Sequence, residues 1–383
     1  MENTPVLKSN SLSTASRGTA RVAPAEQELA GSVADRTERR GSLAGVGSRL
    51  LGSVSTWGFV DQGIVSVASF AAAAIVGRVC GQAELGIYSL AVSIFWLVAG
   101  IPNALVWMPY TARAPRMNQP RRRFYLGSVT AHLVLLAAVL ALLLLVVGFL
   151  PIPGLAESDW FLPMCAALVP FSLLMMLREH LRRVLLADMN TKALLQVDVP
   201  IAICQLAILA RLAWSQRLTA ISALVGMAIA CGWGVVWVVL NRQRFRLKRN
   251  RVELHWKSNF QFGKWLVVVS IAWLLGDAAY RWLVGSMHGL AVLGQYAAAV
   301  TTVMFLNPIM LTIQNLARSI LSNELARGGC EQLWGKTLQG TQLIAAGFGV
   351  LFLALAVFGG NLVTLFFSDQ FSGLGVVVAS LCL

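Results

Sequence analysis

The chain has 383 residues, of which 57% are hydrophobic and only 13% charged. Soluble domains hold about 45–50% apolar and about 25% charged residues, so this composition cannot cover a soluble surface, and it equally excludes a disordered chain, a disulfide scaffold and a coiled coil. The net charge of +14, from 31 Lys and Arg against 17 Asp and Glu, then belongs to the positive loops of a polytopic membrane protein rather than to a nucleic-acid surface.

Residues 1–53 are polar and of mixed charge, without the apolar core of a signal peptide, and read as a disordered cytoplasmic tail. Apolar segments follow near 54–77, 85–109, 124–150, 160–178, 193–213, 219–240, 265–287, 291–315, 338–359 and 370–383. Most approach the ~20 residues that a helix needs to cross a ~30 Å hydrocarbon core. Phe124 to Ala156 and Leu218 to Asn241 carry no charge at all. The runs are continuous rather than alternating, which excludes a β-barrel and leaves an all-α polytopic membrane protein of about ten helices.

With the N-terminus in the cytoplasm, the tail and the segments 111–123, 178–192, 242–264 and 318–336 hold 27 of the 31 Lys and Arg. Every second gap between helices is rich in positive charge, as the positive-inside rule requires of a multi-pass protein of the cell (inner) membrane. Trp57, Trp107, Trp160, Trp214 and Trp265 lie near the proposed helix ends, where an aromatic belt sits. The basic stretch 241–264 reads as a cytoplasmic linker lying on anionic lipid.

Leu85-Gly-Ile-Tyr-Ser-Leu-Ala-Val92 recurs as Leu293-Gly-Gln-Tyr-Ala-Ala-Ala-Val300, with five of eight positions matching at an offset of 208. The chain has only five Tyr, so the repeated Gly-x-Tyr is the informative part. Both copies open an even-numbered helix. A shift of six helices preserves orientation and predicts a two-lobe bundle of parallel six-helix repeats. The N-lobe would be 54–240 and the C-lobe 265–383. Pro102 and Pro308 interrupt the second and eighth helices at nearly corresponding places, and paired interruptions point to a transporter. At this offset Leu383 corresponds to Met175 in the fourth helix, so the expectation is a second lobe incomplete by two helices.

Catalytic signatures are nearly absent. The four His are scattered, the six Cys form no CxxC pair, and no metal site is expected. Gly335-Lys336-Thr337 resembles the end of a P-loop, but Cys330 stands where the first Gly is needed. The residues that carry chemistry are ionisable groups at membrane depth, each costing at least ~2.5–3.5 kcal/mol near the bilayer centre and so facing an interior or a wet cavity. They are Asp61 in the first helix, Asp198 and Arg211 in the fifth, Asp277 and Arg281 in the seventh, and Arg78 after the first. Asp277 and Arg281 stand one helical turn apart and can pair. A carboxylate could couple transport to a proton or a sodium ion, and a guanidinium could hold an anionic headgroup. The bland alternatives are a solvated Asp61 near the interface, an Asp277–Arg281 pair that only locks packing, and snorkelling Arg78 and Arg211.

The stretch from Asp61-Gln62 through Ala74, then Arg78 and Glu84-Leu-Gly-Ile-Tyr-Ser-Leu-Ala91, resembles the opening two helices of polysaccharide and O-antigen flippases. So does Phe260-Gln-Phe-Gly-Lys-Trp265, leading into Asp277 and Leu293-Gly-Gln-Tyr-Ala-Ala-Ala299. These flippases belong to the multidrug/oligosaccharidyl-lipid/polysaccharide exporter superfamily. The resemblance covers residues 55 to 383. It implies two lobes around a central cavity open alternately to each side, and a lipid-linked oligosaccharide of the undecaprenyl-pyrophosphate type moved to the periplasmic leaflet. It also implies cavity cations that hold the pyrophosphate, with Arg281 the candidate. No enzyme activity, cofactor or nucleic-acid partner is expected. The alternatives are an ion-coupled multidrug or organic-cation antiporter, which needs an acid-dominated cavity, and an integral-membrane glycosyltransferase, for which the chain lacks a sizeable acidic loop.

Overall fold

The computed structural model describes residues 57–151, 158–307, 310, 342 and 345–382, with the backbone alone at 249, 250 and 277. The expected tail and Pro308 lie outside these residues. Among the described residues there is no strand, and the apolar segments are helices. In chain order they are α1 (Trp57–Cys80), α2 (Gln82–Pro102), α3 (Gln119–Phe149), α4 (Phe161–Ala187), α5 (Thr191–Trp214), α6 (Ala220–Leu240), α7 (249–288), α8 (290–304), α9 (Ala345–Phe367) and α10 (Gly375–Cys382). Eight helical stretches among them, α7 and α8 counting as one, are long and apolar enough to cross a membrane.

Local chemistry sets the helix ends. Asn118 accepts from the Arg121 amide to cap α3, and Asn190 from the Ala193 amide at 3.1 Å to cap α5. Thr219 and Ser222 form a reciprocal capping box on α6. The Ala220 amide in that first turn also donates to Glu84 Oε2 at 2.6 Å, tying α6 to the start of α2. Pro102 does not break α2. The helix passes into a π-turn over Asn103–Trp107 and continues to Arg116 through Met108–Arg113 and a 3-10 turn. A proline removes an amide donor and crowds the carbonyl four residues back, and a π-turn is the form in which a helix absorbs such a misfit without stopping.

Two expected boundaries move. The fourth helix runs to Ala187 instead of ending near 178, so Arg178 and Arg182 are helical and buried rather than loop residues. The seventh begins at Arg249 instead of near 265, so most of the stretch read as linker is helix. That extension lies against the ends of α2 and α3. Arg113 donates to Ser258 and Asn259 at 2.9 Å, Tyr125 to Asn259 at 2.8 Å, and His132 Nε2 meets the Val252 carbonyl at 2.9 Å.

Packing follows the logic of a bilayer. Phe95, Phe171, Met164, Leu168 and Tyr125 are buried between α2, α3 and α4. Leu135 and Leu142 of α3 are 64% and 61% exposed, an outward apolar face suited to lipid.

The internal repeat has a structural counterpart. Gly81 separates α1 from α2 with φ 87° and ψ −173°, and Gly289 separates α7 from α8 with φ 85° and ψ 172°. Positive φ of this kind is almost confined to glycine, and the two positions are 208 apart. Five residues further on, the helices cross. A Cβ on Gly86 would strike the Leu290 carbonyl, and one on Gly294 would strike the Gln82 carbonyl. Since 82 and 290, and 86 and 294, are each 208 apart, the contact is reciprocal, the signature of a local two-fold relation. From this crossing α2 runs antiparallel along α7, with Trp282 Nε1 donating to Ser93 Oγ at 3.2 Å, Leu274 beside Gly100, and Gly263 beside the Ala104 carbonyl.

Candidate functional site

Five charged side chains meet inside α1, α4 and α5. Asp198 is fully buried, Asp61 1% exposed, Arg178 4%, Glu179 6% and Arg182 8%. Arg178 Nε donates to Asp198 Oδ1 at 2.9 Å. Arg182 Nε lies 2.9 Å from Asp198 Oδ2, and its Nη2 donates to Asp61 Oδ2 at 3.0 Å. Glu179 Oε1 is 3.7 Å from Arg182 Nη1, and Gln62 Oε1 is 3.4 Å from Arg182 Nη2. The Asp61 and Asp198 carboxyl groups are themselves neighbours. Asp61 Oδ1 has no hydrogen-bond partner among the described residues.

Helical periodicity builds the group. Arg178 and Arg182 are one turn apart on the inner face of α4, with Glu179 a third of a turn away. Asp61 lies about 6 Å inside the start of α1, Asp198 about 10 Å inside the start of α5, and Arg182 about 7 Å inside the end of α4, at 1.5 Å per residue. All three helices have these ends on one side of the bundle. Each close pair attracts by about 5 kcal/mol at ~3 Å and an effective dielectric of ~20, and much of that offsets the cost of removing the ions from water. The sum of charges is uneven. Three carboxylates face two guanidiniums, so with every group ionised the cluster carries one surplus negative charge.

The remaining residues singled out from sequence are not gathered here. Arg78 is exposed and donates to the Leu365 carbonyl at 2.8 Å, joining the end of α1 to the end of α9. Arg211 is exposed in the last turn of α5, where a cation complements the helix dipole. Arg281 is half-buried on α7, next to the Trp282 that bonds α2. The side chain of Asp277 lies outside the described residues. Among the described residues no group of three or more His, Cys, Asp or Glu is placed to hold a metal ion.

Sequence reasoning missed Arg178, Glu179 and Arg182 because it counted them as loop charge. The signal was present, since apolar Val184-Leu185-Leu186 follows them and extends the helix by two turns.

The comparisons with known proteins agree with this architecture. No curated relative matches the chain by sequence. Among solved structures, an inward-facing multidrug resistance MATE family transporter of the MOP superfamily superposes with a TM-score of 0.62 at 11% identity, over 84% of this chain and 76% of its own. A MOP superfamily transporter from Pyrococcus furiosus, described as having a binding pocket of reverse polarity, gives 0.59 at 11% identity over 87% and 77%. The eukaryotic MATE transporter AtDTX14 gives 0.54 at 18% identity over 87% and 78%. At these identities the likeness is one of fold, and the fold is that of a MATE-like transporter. The family profile described as polysaccharide biosynthesis protein matches residues 51–317. The chain therefore belongs to the polysaccharide biosynthesis protein family, as a polytopic helical protein with the MATE-like fold.

Proposed function

We infer that the transporter moves a lipid-linked oligosaccharide, of the undecaprenyl-pyrophosphate type, from the cytoplasmic to the periplasmic leaflet of the cell membrane. Alternating access would come from two parallel lobes moving about the glycine crossing of α2 and α8. The observation that carries the substrate class is the pairing of Asp61 and Asp198 with Arg178 and Arg182. An exporter of organic cations needs open carboxylates, and these two are engaged by arginines. The MATE-like fold favours a second reading, an ion-coupled multidrug antiporter, and the surplus negative charge of the cluster is what such a reading would use.

The same surplus supplies a coupling site under either reading. One proton shared by the neighbouring Asp61 and Asp198 carboxyls brings the cluster to neutrality, and its loss restores the repulsion between them. A sodium ion at Asp61 Oδ1 would do the same. Arg281, half-buried beside the α2–α7 contact, is the cation proposed to hold the pyrophosphate. The test is reconstitution in proteoliposomes with a short-chain polyprenyl-pyrophosphate glycan, scored by its accessibility to a glycosidase in the other leaflet. Flipping that is lost in Arg281→Ala with the protein still inserted supports the reading. Expulsion of an organic cation dye with no glycan movement overturns it.

A further inference from the structure

At the end of the bundle where α3 begins, a cavity of about 320 Å³ lies between the end of α2, the first turns of α3, the α4–α5 turn and the 3-10 turn after α6. Its lining is basic. Arg122, Arg123 and Arg244 face one carboxylate, Asp188, which Arg122 engages in an ion pair. Arg123 and Arg244 have no ion-pair partner among the described residues, and Arg244 is held over the Trp237 ring at 5.6 Å. The cavity wall includes Tyr110, 1% exposed, whose ring stacks on Tyr125 at 5.8 Å. Its hydroxyl, beside Arg122, makes no well-formed hydrogen bond among the described residues. This hydroxyl borders a space of the size ligands occupy.

An apolar groove lies one helical turn further along α3, on the other side of the strap 244–247. It is lined by Gly127, Ala131, Val134 and Ala138 of α3 together with Phe245 and Leu247. Successive residues divide between the two sites. Leu126 and Arg244 line the cavity, and Gly127 and Phe245 line the groove. The strap that spans them crosses α3 at Gly127, where the Arg246 carbonyl occupies the place of a side chain and the Arg246 amide donates to the Arg123 carbonyl at 3.3 Å. From Gly127 to Ala138 the groove runs about 16 Å along the helix at 1.5 Å per residue, close to the depth of one leaflet of a ~30 Å hydrocarbon core.

We propose that this composite site binds one anionic glycerophospholipid, with its phosphate between Arg123, Arg244 and the Tyr110 hydroxyl and an acyl chain in the groove along α3. The lipid is a fixed occupant of the bundle's flank, not cargo, and the proposal stands independently of the transported substrate. Charge, a buried hydroxyl and an apolar groove of about one leaflet's depth follow one another along α3, which a diffuse attraction of the basic stretch 241–264 to the membrane surface would not require. Arginine also suits phosphate better than a point charge does, through paired N–H donors.

The test is equilibrium binding of a fluorescent phosphatidylglycerol to the purified full chain in detergent, with phosphatidylcholine and inorganic phosphate as competitors. Saturable binding that phosphatidylcholine and phosphate displace poorly is expected. Arg123→Gln with Arg244→Gln should weaken it about thirty-fold, from about 1 kcal/mol per juxtamembrane cation. The nearby exposed Arg116→Gln with Arg121→Gln should change it less than about threefold, since those cations do not line the cavity. Tyr110→Phe, which keeps the ring, should cost about three- to tenfold, and Ala138→Trp should weaken binding by filling the groove. Equal loss from both arginine pairs would show surface attraction only and overturn the site. Full displacement by inorganic phosphate, with no effect of Ala138→Trp, would make it a free-anion site and overturn the lipid. Absence of saturable binding would overturn both.

Discussion

Removing Arg182 from the buried cluster tests the electrostatic reasoning most directly. Its guanidinium contacts Asp61 at 3.0 Å, Asp198 at 2.9 Å and Glu179 at 3.7 Å, in surroundings that leave it 8% exposed. Arg182→Met keeps much of the volume and deletes the charge. Three carboxylates then face Arg178 alone, which among them is ion-paired with Asp198. Breaking a buried pair by removing one partner costs about 3–5 kcal/mol, because the other charge is left uncompensated. That loss should appear in reversible unfolding in mixed micelles. Asp61→Asn alone should be mild, since it removes the surplus charge. In the double variant, Asp61→Asn should recover about 1–3 kcal/mol of the Arg182→Met deficit, a coupling expected of contacting residues. Stability of Arg182→Met within about 0.5 kcal/mol of the parent, or simple additivity in the double variant, would refute the claim that these groups form one unit.

Other outcomes follow from the same geometry. Cysteines at Gln82 and Gln295, whose side chains now bond at 3.1 Å, should form a disulfide in a background without the native cysteines, and that link should arrest transport reversibly with reductant. Gly289→Ala should destabilise the α7–α8 junction by about 1–3 kcal/mol through its positive φ with extended ψ, measured by thermal unfolding, and Gly81→Ala should match it if the two junctions are equivalent. If the coupling ion is a proton on the Asp61–Asp198 pair, Asp61→Asn should abolish the pH dependence of flipping while leaving sodium dependence unchanged. A parallel loss of sodium dependence would assign the site to that ion.

The helices were legible because a bilayer imposes a simple rule: long runs such as Phe124–Ala156 have no other use. The boundary between the seventh and eighth helices was legible too, since Gly289 falls between the two expected segments. What sequence could not show is partnership. Asp61 and Asp198 stand out as acids in apolar segments, but the arginines that meet them are 121 and 20 residues away, and only the fold brings them together. Charge at 178–183 looked like a loop because exposed loops are where such density normally lies. A buried network of mixed sign reads the same way in a hydropathy scan. The basic stretch that opens α7 misled for a related reason, as polar Ser258 and Asn259 serve Arg113 and Tyr125 rather than water.

The meeting of Gly86 and Gly294 has an evolutionary corollary. What blocks each position is the other half's main chain, which no mutation can shorten. A side chain gained on one half cannot be compensated by a loss on the other, so the pair is not free to drift together. In homologous sequences these two sites should therefore keep glycine separately, each answering to the opposing backbone, even where the residues around them have lost every trace of common descent.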